Sequence, residues 1–424
     1  MNTEARRRFA LLILALVFTA PARAQDPDSA AGAGAAQRWP HKFMLHWNEY
    51  NLGVTTVIFG AAILPEYATY NQDSASASQF GVKRQGKLRD SRFLVSGTIR
   101  SNRPISWQTG IMYDWPTSKW LIRQTQISIA VPEMLGWINV GRTKEGLSLN
   151  RVMVGYDGWT SERFTFSDAA IPLLADGVKW LGYAPKAQLI WNLGAYTNWL
   201  SEGETYSYYK QQVVARVAHV KMDSDTAGKL LHLGLGVHVG KPEHDSLRLK
   251  SKPEAFEAPN FLDTGKFPAS LGTISGVEAY YRSGPWLVGS EYYFEWVDSK
   301  QERDPFFHGG DIVGSWVITG ETRPYTTQGG FFRTISPKRP VFKGGPGAWE
   351  AVLRLSYSDL NSRDLEGGKF WRITPMVNWH MNDNARLEFS YGFSNLDRFG
   401  VRGGAEFFQM RLQLQFAKLG RSGD

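Results

Sequence analysis

From residue 347 to residue 416 the chain alternates apolar and polar positions one for one, in repeated runs. Over residues 349–357, Trp349, Ala351, Leu353, Leu355 and Tyr357 share one parity, and Glu350, Val352, Arg354 and Ser356 the other. Residues 371–381 repeat the pattern, with Ile373, Val377 and Trp379 set against Arg372, Thr374, Asn378 and His380. Leu387, Phe389 and Tyr391 then oppose Arg386, Glu388 and Ser390, and Phe408, Met410, Leu412, Leu414 and Phe416 oppose Gln409, Arg411, Gln413 and Gln415. A β-strand sends successive side chains to opposite faces, so each run has an apolar face and a polar one.

Soluble antiparallel strands alternate as well, and alternation alone does not decide the class. Length and aromatic placement do. The runs at 349–357 and 371–381 are nine and eleven residues long with aromatics toward their ends, whereas soluble strands average about 5–6 residues. That length crosses a bilayer at a tilt, and Trp, Tyr and Phe belong at its two interfaces. The expectation is an all-β fold: a transmembrane antiparallel β-barrel of about 16 strands, with short periplasmic turns, longer external loops and a wet lumen on the polar parity.

The same rhythm runs upstream, at 43–50, 54–64, 92–100, 106–115, 120–131, 137–141, 180–183, 186–199, 211–220, 230–239, 273–282, 286–297 and 312–325. Three stretches lose it and read as long loops: 143–178, 240–266 and 326–347. Loops of such length in a compact domain are functional or disordered, and 143–178 is the expected constriction, with Lys144, Arg151 and Arg163 as its candidate residues. No fixed-period repeat appears, which argues against a solenoid or propeller.

The first residues are read as a targeting segment. Arg6-Arg7-Arg8, the apolar stretch 9–20 and Ala22-Arg23-Ala24 make residues 1–24 a signal peptide. Residues 25–40 are expected to be a flexible periplasmic leader, 41–416 the barrel, and 417–424 a C-terminal tail. The segment 1–24 carries four Arg and one Glu, so the formal charge of +8 falls to +5 without it. So mild and dispersed a balance gives no reason to expect nucleic acid. Cysteine is absent, which excludes disulfides and thiolate metal sites.

No G-x-S-x-G, H-E-x-x-H or P-loop pattern occurs, and no catalytic residue, metal site or cofactor is expected. His232, His238 and His244 share a strand parity, but six residues of strand separate neighbours by about 20 Å, beyond one metal's coordination sphere. An outer-membrane hydrolase stays open as an alternative, with His380 the position to test.

The polar parity is more informative. Arg92, Arg100, Arg354, Arg372, Arg386 and Arg411 fall on it, as do Glu291, Glu295, Glu321 and Glu350, together with Glu278 and Glu388. These are the candidate pore-lining residues. Rings of Arg select anions, and guanidinium offers phosphate a two-pronged contact. Neighbouring Arg and Glu can equally neutralise each other across strands. A weakly selective porin for sugars or cations, and a plugged structural or adhesive barrel, remain alternatives.

The runs SWVITGETRPY, GPGAWEAVLRLSYSDLN, GGKFWRITPMVNWHMNDNARLEFSYG and FFQMRLQLQF, with the earlier GRTKEGLSLNR, resemble the phosphate-selective porins of the O and P type, over roughly residues 88–416. The resemblance implies a homotrimeric outer-membrane barrel, in contact with outer-membrane lipid, that passes small phosphate-like anions. Motif positions carried over are Trp349, Glu350, Arg354, Gly320, Glu321, Lys144 and Glu145, mostly as wall and folding determinants. The family's dense arginine run on one strand is not visible here, and the tail after Phe416 departs from the usual terminal aromatic.

Overall fold

The computed structural model describes residues 44–46, 48–114, 118–200, 207–222 and 228–416. The segments expected to be signal peptide (1–24), leader (25–40) and tail (417–424) lie outside these residues. Sixteen long antiparallel strands close into one barrel. They are β1 (Thr56–Gln72), β2 (Gln85–Ile99), β3 (Ile105–Asp114), β4 (Lys119–Val131), β5 (Gly136–Lys144), β6 (Leu174–Ala184), β7 (Leu189–Thr197) and β8 (Tyr209–Met222), then β9 (Leu230–Pro242), β10 (Leu271–Ser283), β11 (Trp286–Asp298), β12 (Phe306–Val317), β13 (Ala348–Ser362), β14 (Leu365–His380), β15 (Ala385–Arg398) and β16 (Val401–Phe416). Each pairs with its sequence neighbour, and β16 closes on β1 with Arg411 opposite Glu66. Closure satisfies every strand's backbone without an edge, which a strand in hydrocarbon requires. A short hairpin, Met44–His46 with Glu49–Asn51, extends the sheet beside the start of β1.

Parity sorts the side chains as the alternation predicts. Leu353 and Leu355 are 56% and 44% exposed, and Arg354 between them 2%; Ile373 faces outward while Arg372 and Thr374 are buried. Outward aromatics cluster at both rims. Trp286 stacks on Trp316 and Trp349 on Trp379 near the rim that holds the barrel's ends, here the terminal rim. Phe294, Trp296 and Phe306 pack together near the opposite rim. Two such girdles are the interfacial belts of a membrane barrel.

The interior is less uniform than a water-filled lumen. The long connection 145–173 runs from β5 across the barrel, 243–270 folds in from the same rim, and 318–347 enters from the terminal rim. Leu147, Phe164, Phe166, Phe261, Phe307, Phe370 and Phe407 belong to one dry cluster; Trp159, Tyr280, Val313, Phe332 and Met376 belong to another. Across much of β10–β16 the inward parity therefore meets protein rather than water.

Several boundaries differ from those read in the sequence. β12 starts at Phe306 and stops at Val317, because Gly320 turns the chain at φ +86°, so Glu321 sits in a loop and not on a strand. β2 ends at Ile99, which leaves Arg100 exposed in the following turn, outside the lumen. Residues 186–199 are not one strand: Gln188 at φ +55° turns the chain before β7. The loop read at 143–178 is shorter at both ends, since β5 runs to Lys144 and β6 begins at Leu174. The loop 326–347 belongs to the terminal rim, where only short turns were expected.

Candidate functional site: a cationic path between the wall and the inward loops

Three neighbouring cavities that share lining residues lie inside the barrel, between strands β1–β7 on one side and the inward loops on the other. The upper one, toward the opposite rim, is lined by Arg89, Arg151, Arg163, Lys250 and Lys252, with Glu162, Asp168 and Glu254. The middle one shares Arg89, Glu162 and Arg163 and adds Asp90, Arg92, Arg123 and Arg411. The lower chamber shares Arg92 and Arg123 and adds Lys144, Lys179 and Arg333; no Asp or Glu lines it. Cations predominate throughout, and the lower chamber is lined by cations and neutral groups alone, although Arg92 is paired with Asp90 of the middle cavity.

The loop 145–173 is held by both ends of its path. The helical turn Leu149–Val152 has Ser148 as its N-cap. Its backbone N–H groups at Leu149 and Asn150 donate to Glu278 and Glu291 at 2.8 and 2.7 Å, and the Ser148 hydroxyl donates to Glu291 at 2.5 Å. Orphan amides at a helix start are thus satisfied by carboxylates of the wall. Farther along, Asn378 donates to the Trp159 carbonyl at 2.8 Å and Arg386 to the Gly158 carbonyl at 2.6 Å. The loop ends its crossing at Glu162, whose carboxylate receives Arg89 at 2.7 Å and Arg411 at 2.5 Å.

Lys144 gives its ammonium to the carbonyls of Val152 and Met153, at 3.0 and 2.5 Å, and Lys179 gives its own to the Lys144 carbonyl at 2.8 Å. Arg163 bonds the carbonyls of Asn150 and Met153, at 2.9 and 3.0 Å. Carbonyls satisfy donors but carry no net charge, and these three cations make no ion pair among the described residues. Burial, then the nearby Arg151 and Arg123, push the Arg163 guanidinium below its ordinary pKa. An anion entering there relieves that repulsion.

The sequence-derived candidates divide between path and wall. Arg92, Arg411, Lys144, Arg151 and Arg163 line the cavities. Arg354 is buried beneath the loops, paired with Glu254 and bonded to Thr160. Arg372 donates to the Pro253 carbonyl and to Gln409, both at 2.6 Å, and Arg386 pairs with Glu388. Glu291 anchors the loop, Glu295 accepts from Tyr209 at 3.0 Å, and Glu321 accepts from the Lys338 N–H at 3.0 Å. Glu350 accepts from Arg323 at 2.6 Å and lies 3.2 Å from His380. The Ser315 hydroxyl is directed at Glu350 rather than at His380, so no hydroxyl is bonded to that histidine among the described residues.

Arg89, Arg123 and Lys179 line the path and were missed. Arg89 and Arg123 sit at β-bulges. The β1–β2 register passes from Leu64↔Asp90 to Pro65↔Leu88, which leaves Arg89 as the extra residue. The β3–β4 register passes from Thr109↔Thr125 to Ile111↔Ile122, which puts Arg123 and Gln124 opposite one residue. A bulge re-aims a side chain and switches parity, so Arg123 stood opposite the polar parity of 120–131, while Arg89 lay outside the run read at 92–100, in a strand that starts at Gln85. Pro65 was the one available signal at the first bulge, since proline in a strand belongs at such an irregularity.

A family model for phosphate-selective porin O and P matches residues 177–416. The chain belongs to that family. Among curated relatives, an uncharacterized protein of Caulobacter vibrioides is 30% identical over 166 residues, covering 38% of this chain and 33% of that protein. Porin O of Pseudomonas aeruginosa is 24% identical over 158 residues, 34% of this chain and 35% of that protein. The chain thus spans about a third of the length of the curated relatives it matches. The fold is similar to that of the anion-selective porin from Comamonas acidovorans (TM-score 0.52, 13% identity, 85% of this chain and all of that one). It is also similar to OmpT of Vibrio cholerae in its trimer form (TM-score 0.54, 13% identity, 86% of this chain and 100% of that one). Family and fold together make this an outer-membrane porin barrel.

Proposed function

We propose that this porin passes small anions of the phosphate type passively, that it makes and breaks no bonds, and that residues 41–416 form its channel-bearing domain. The observation that carries this reading is the lower chamber, where Arg92, Arg123, Lys144, Lys179 and Arg333 face one space lined by no carboxylate. In such a chamber an anion exchanges hydration for charged N–H donors, while a cation meets like charges and no carboxylate to offset them. Glu162 and Asp90 in the middle cavity keep the arginines there partly balanced, so passage can be followed by release.

Selectivity is tested by the reversal potential of purified protein in a planar bilayer under a KCl gradient. A potential of the anion-selective sign is expected, together with a chloride current that falls as phosphate is added; cation preference overturns the reading. A homotrimer in outer-membrane lipid is the assembly we infer from the family, and the size of the detergent-extracted protein tests it.

A further inference from the structure

The lower chamber holds more than cations. The side-chain oxygens of Gln126, Asn139 and Asn192 line it and have no hydrogen-bond partner among the described residues, although Asn139 and Asn192 are 4% and 1% exposed. Their orientation is fixed for two of the three: Asn192 donates its amide N–H to the Gly146 carbonyl at 3.2 Å and Gln126 donates to the Ser128 hydroxyl at 3.3 Å. The oxygens are therefore the groups left over. Asn139 on β5 stands directly opposite Lys179 on β6, so a vacant acceptor lies beside a cation that lacks a carboxylate.

A bare oxyanion answers only half of this arrangement. Its oxygens suit the ammonium and guanidinium groups, but it brings few hydrogens, and a buried acceptor left without a donor costs about 1–3 kcal/mol. The complementary solute carries negative charge and several neutral O–H donors together. An ammonium-bearing solute meets the chamber's own cations and is disfavoured. The Tyr156 and Phe331 rings also line the chamber, and these suit the C–H faces of a ring.

We propose that the lower chamber is a binding site for hydroxylated organic anions of the sugar-phosphate class. The proposal rests on the anion reading above and narrows it. It is tested by blocking the chloride current of the purified channel with glucose 6-phosphate, inorganic phosphate or glucose. Glucose 6-phosphate is expected to reach half-block at a concentration about tenfold below that of phosphate, with glucose weaker than both. In Asn139→Leu the ratio between the two phosphates falls to near one; if that variant does not insert, Gln126→Leu gives the same reading. Equal half-block by the two phosphates in the parent, block by glucose as strong as by its phosphate, or a ratio that neither substitution moves overturns the proposal. A cation-selective reversal potential instead sinks the underlying anion reading, so the two failures are told apart.

Discussion

Arg89 grips Glu162 with a two-pronged contact, its Nε donating to one carboxylate oxygen at 2.7 Å and its Nη2 to the other at 3.1 Å. The bond joins a bulge in the barrel wall to the far end of the crossing loop, at the level where the path is walled by arginines. Glu162 is thus both a tether and the main negative charge facing ions there. A unit charge about 8 Å from a permeating ion contributes on the order of 2 kcal/mol at an effective dielectric of about 20.

Glu162→Gln follows directly. The amide keeps one acceptor for Arg89 or Arg411 and removes the charge. The anion-to-cation permeability ratio, read from the reversal potential, is expected to rise severalfold, and phosphate is expected to leave more slowly and block at lower concentration. An unchanged potential would mean that ions do not pass beside Glu162.

Lys179→Gln takes one of five cations from the lower chamber while losing a single bond, to the Lys144 carbonyl. Anion selectivity should drop, and by more in dilute salt than in concentrated salt. The Debye length is about 30 Å at 0.01 M and about 3 Å at 1 M, so a lumenal charge acts at long range only in the first. Reversal potentials at the two strengths provide the measurement. Equal effects at both would assign Lys179 to the wall.

These two positions also show how far the sequence could be read. Strand parity found the barrel, its strand number and Arg92, because burial on one face and lipid on the other leave a period-2 trace in each strand. Arg123 escaped because a bulge adds one residue and reverses that trace, and Arg89 because its strand was recognised only from residue 92, beyond the bulge at which it sits. Lys179 escaped because β6 begins at Leu174, six residues before the strand was recognised. Arg354 and Arg372 were legible as inward but not as covered, since which loop folds over which wall depends on contacts between residues such as Thr160 and Arg354, 194 apart in the chain. Parity tells inside from outside; it does not tell wet from dry.

Trp159 is the largest apolar anchor of the crossing loop. It is fully buried against Tyr280 and Phe332, with the Arg323 guanidinium 5.6 Å from its ring centroid. Trp159→Ala removes an aromatic from a packed core, a change that typically costs about 3–5 kcal/mol. The barrel's hydrogen-bonded sheet is not touched, so the loss falls on the loop. Amide hydrogen exchange across 147–164 should accelerate while that of β13–β16 is retained, and single-channel currents should become noisier. Uniform acceleration across the strands would show that the loop and the barrel open together.

Glu257, in the connection 243–270, gives the pH dependence. Burial, and then the neighbouring Glu66, raise its carboxyl from the ordinary range to about 8. A carboxyl whose folded pKa is raised keeps its proton in the folded state, so its contribution to stability is full below about pH 4.5 and is lost as pH rises through about 8. Docking of this connection against β1 should therefore weaken between about pH 4.5 and pH 8 and change little above that. Gln85, which donates to the Glu257 carbonyl at 2.8 Å, should lose protection as it does. In Glu257→Gln the neutral form is permanent, and protease nicking of 243–270 should become independent of pH over that interval. A parent chain whose nicking is already flat from about pH 4.5 to pH 8 would show that the carboxyl ionises without disturbing the loop.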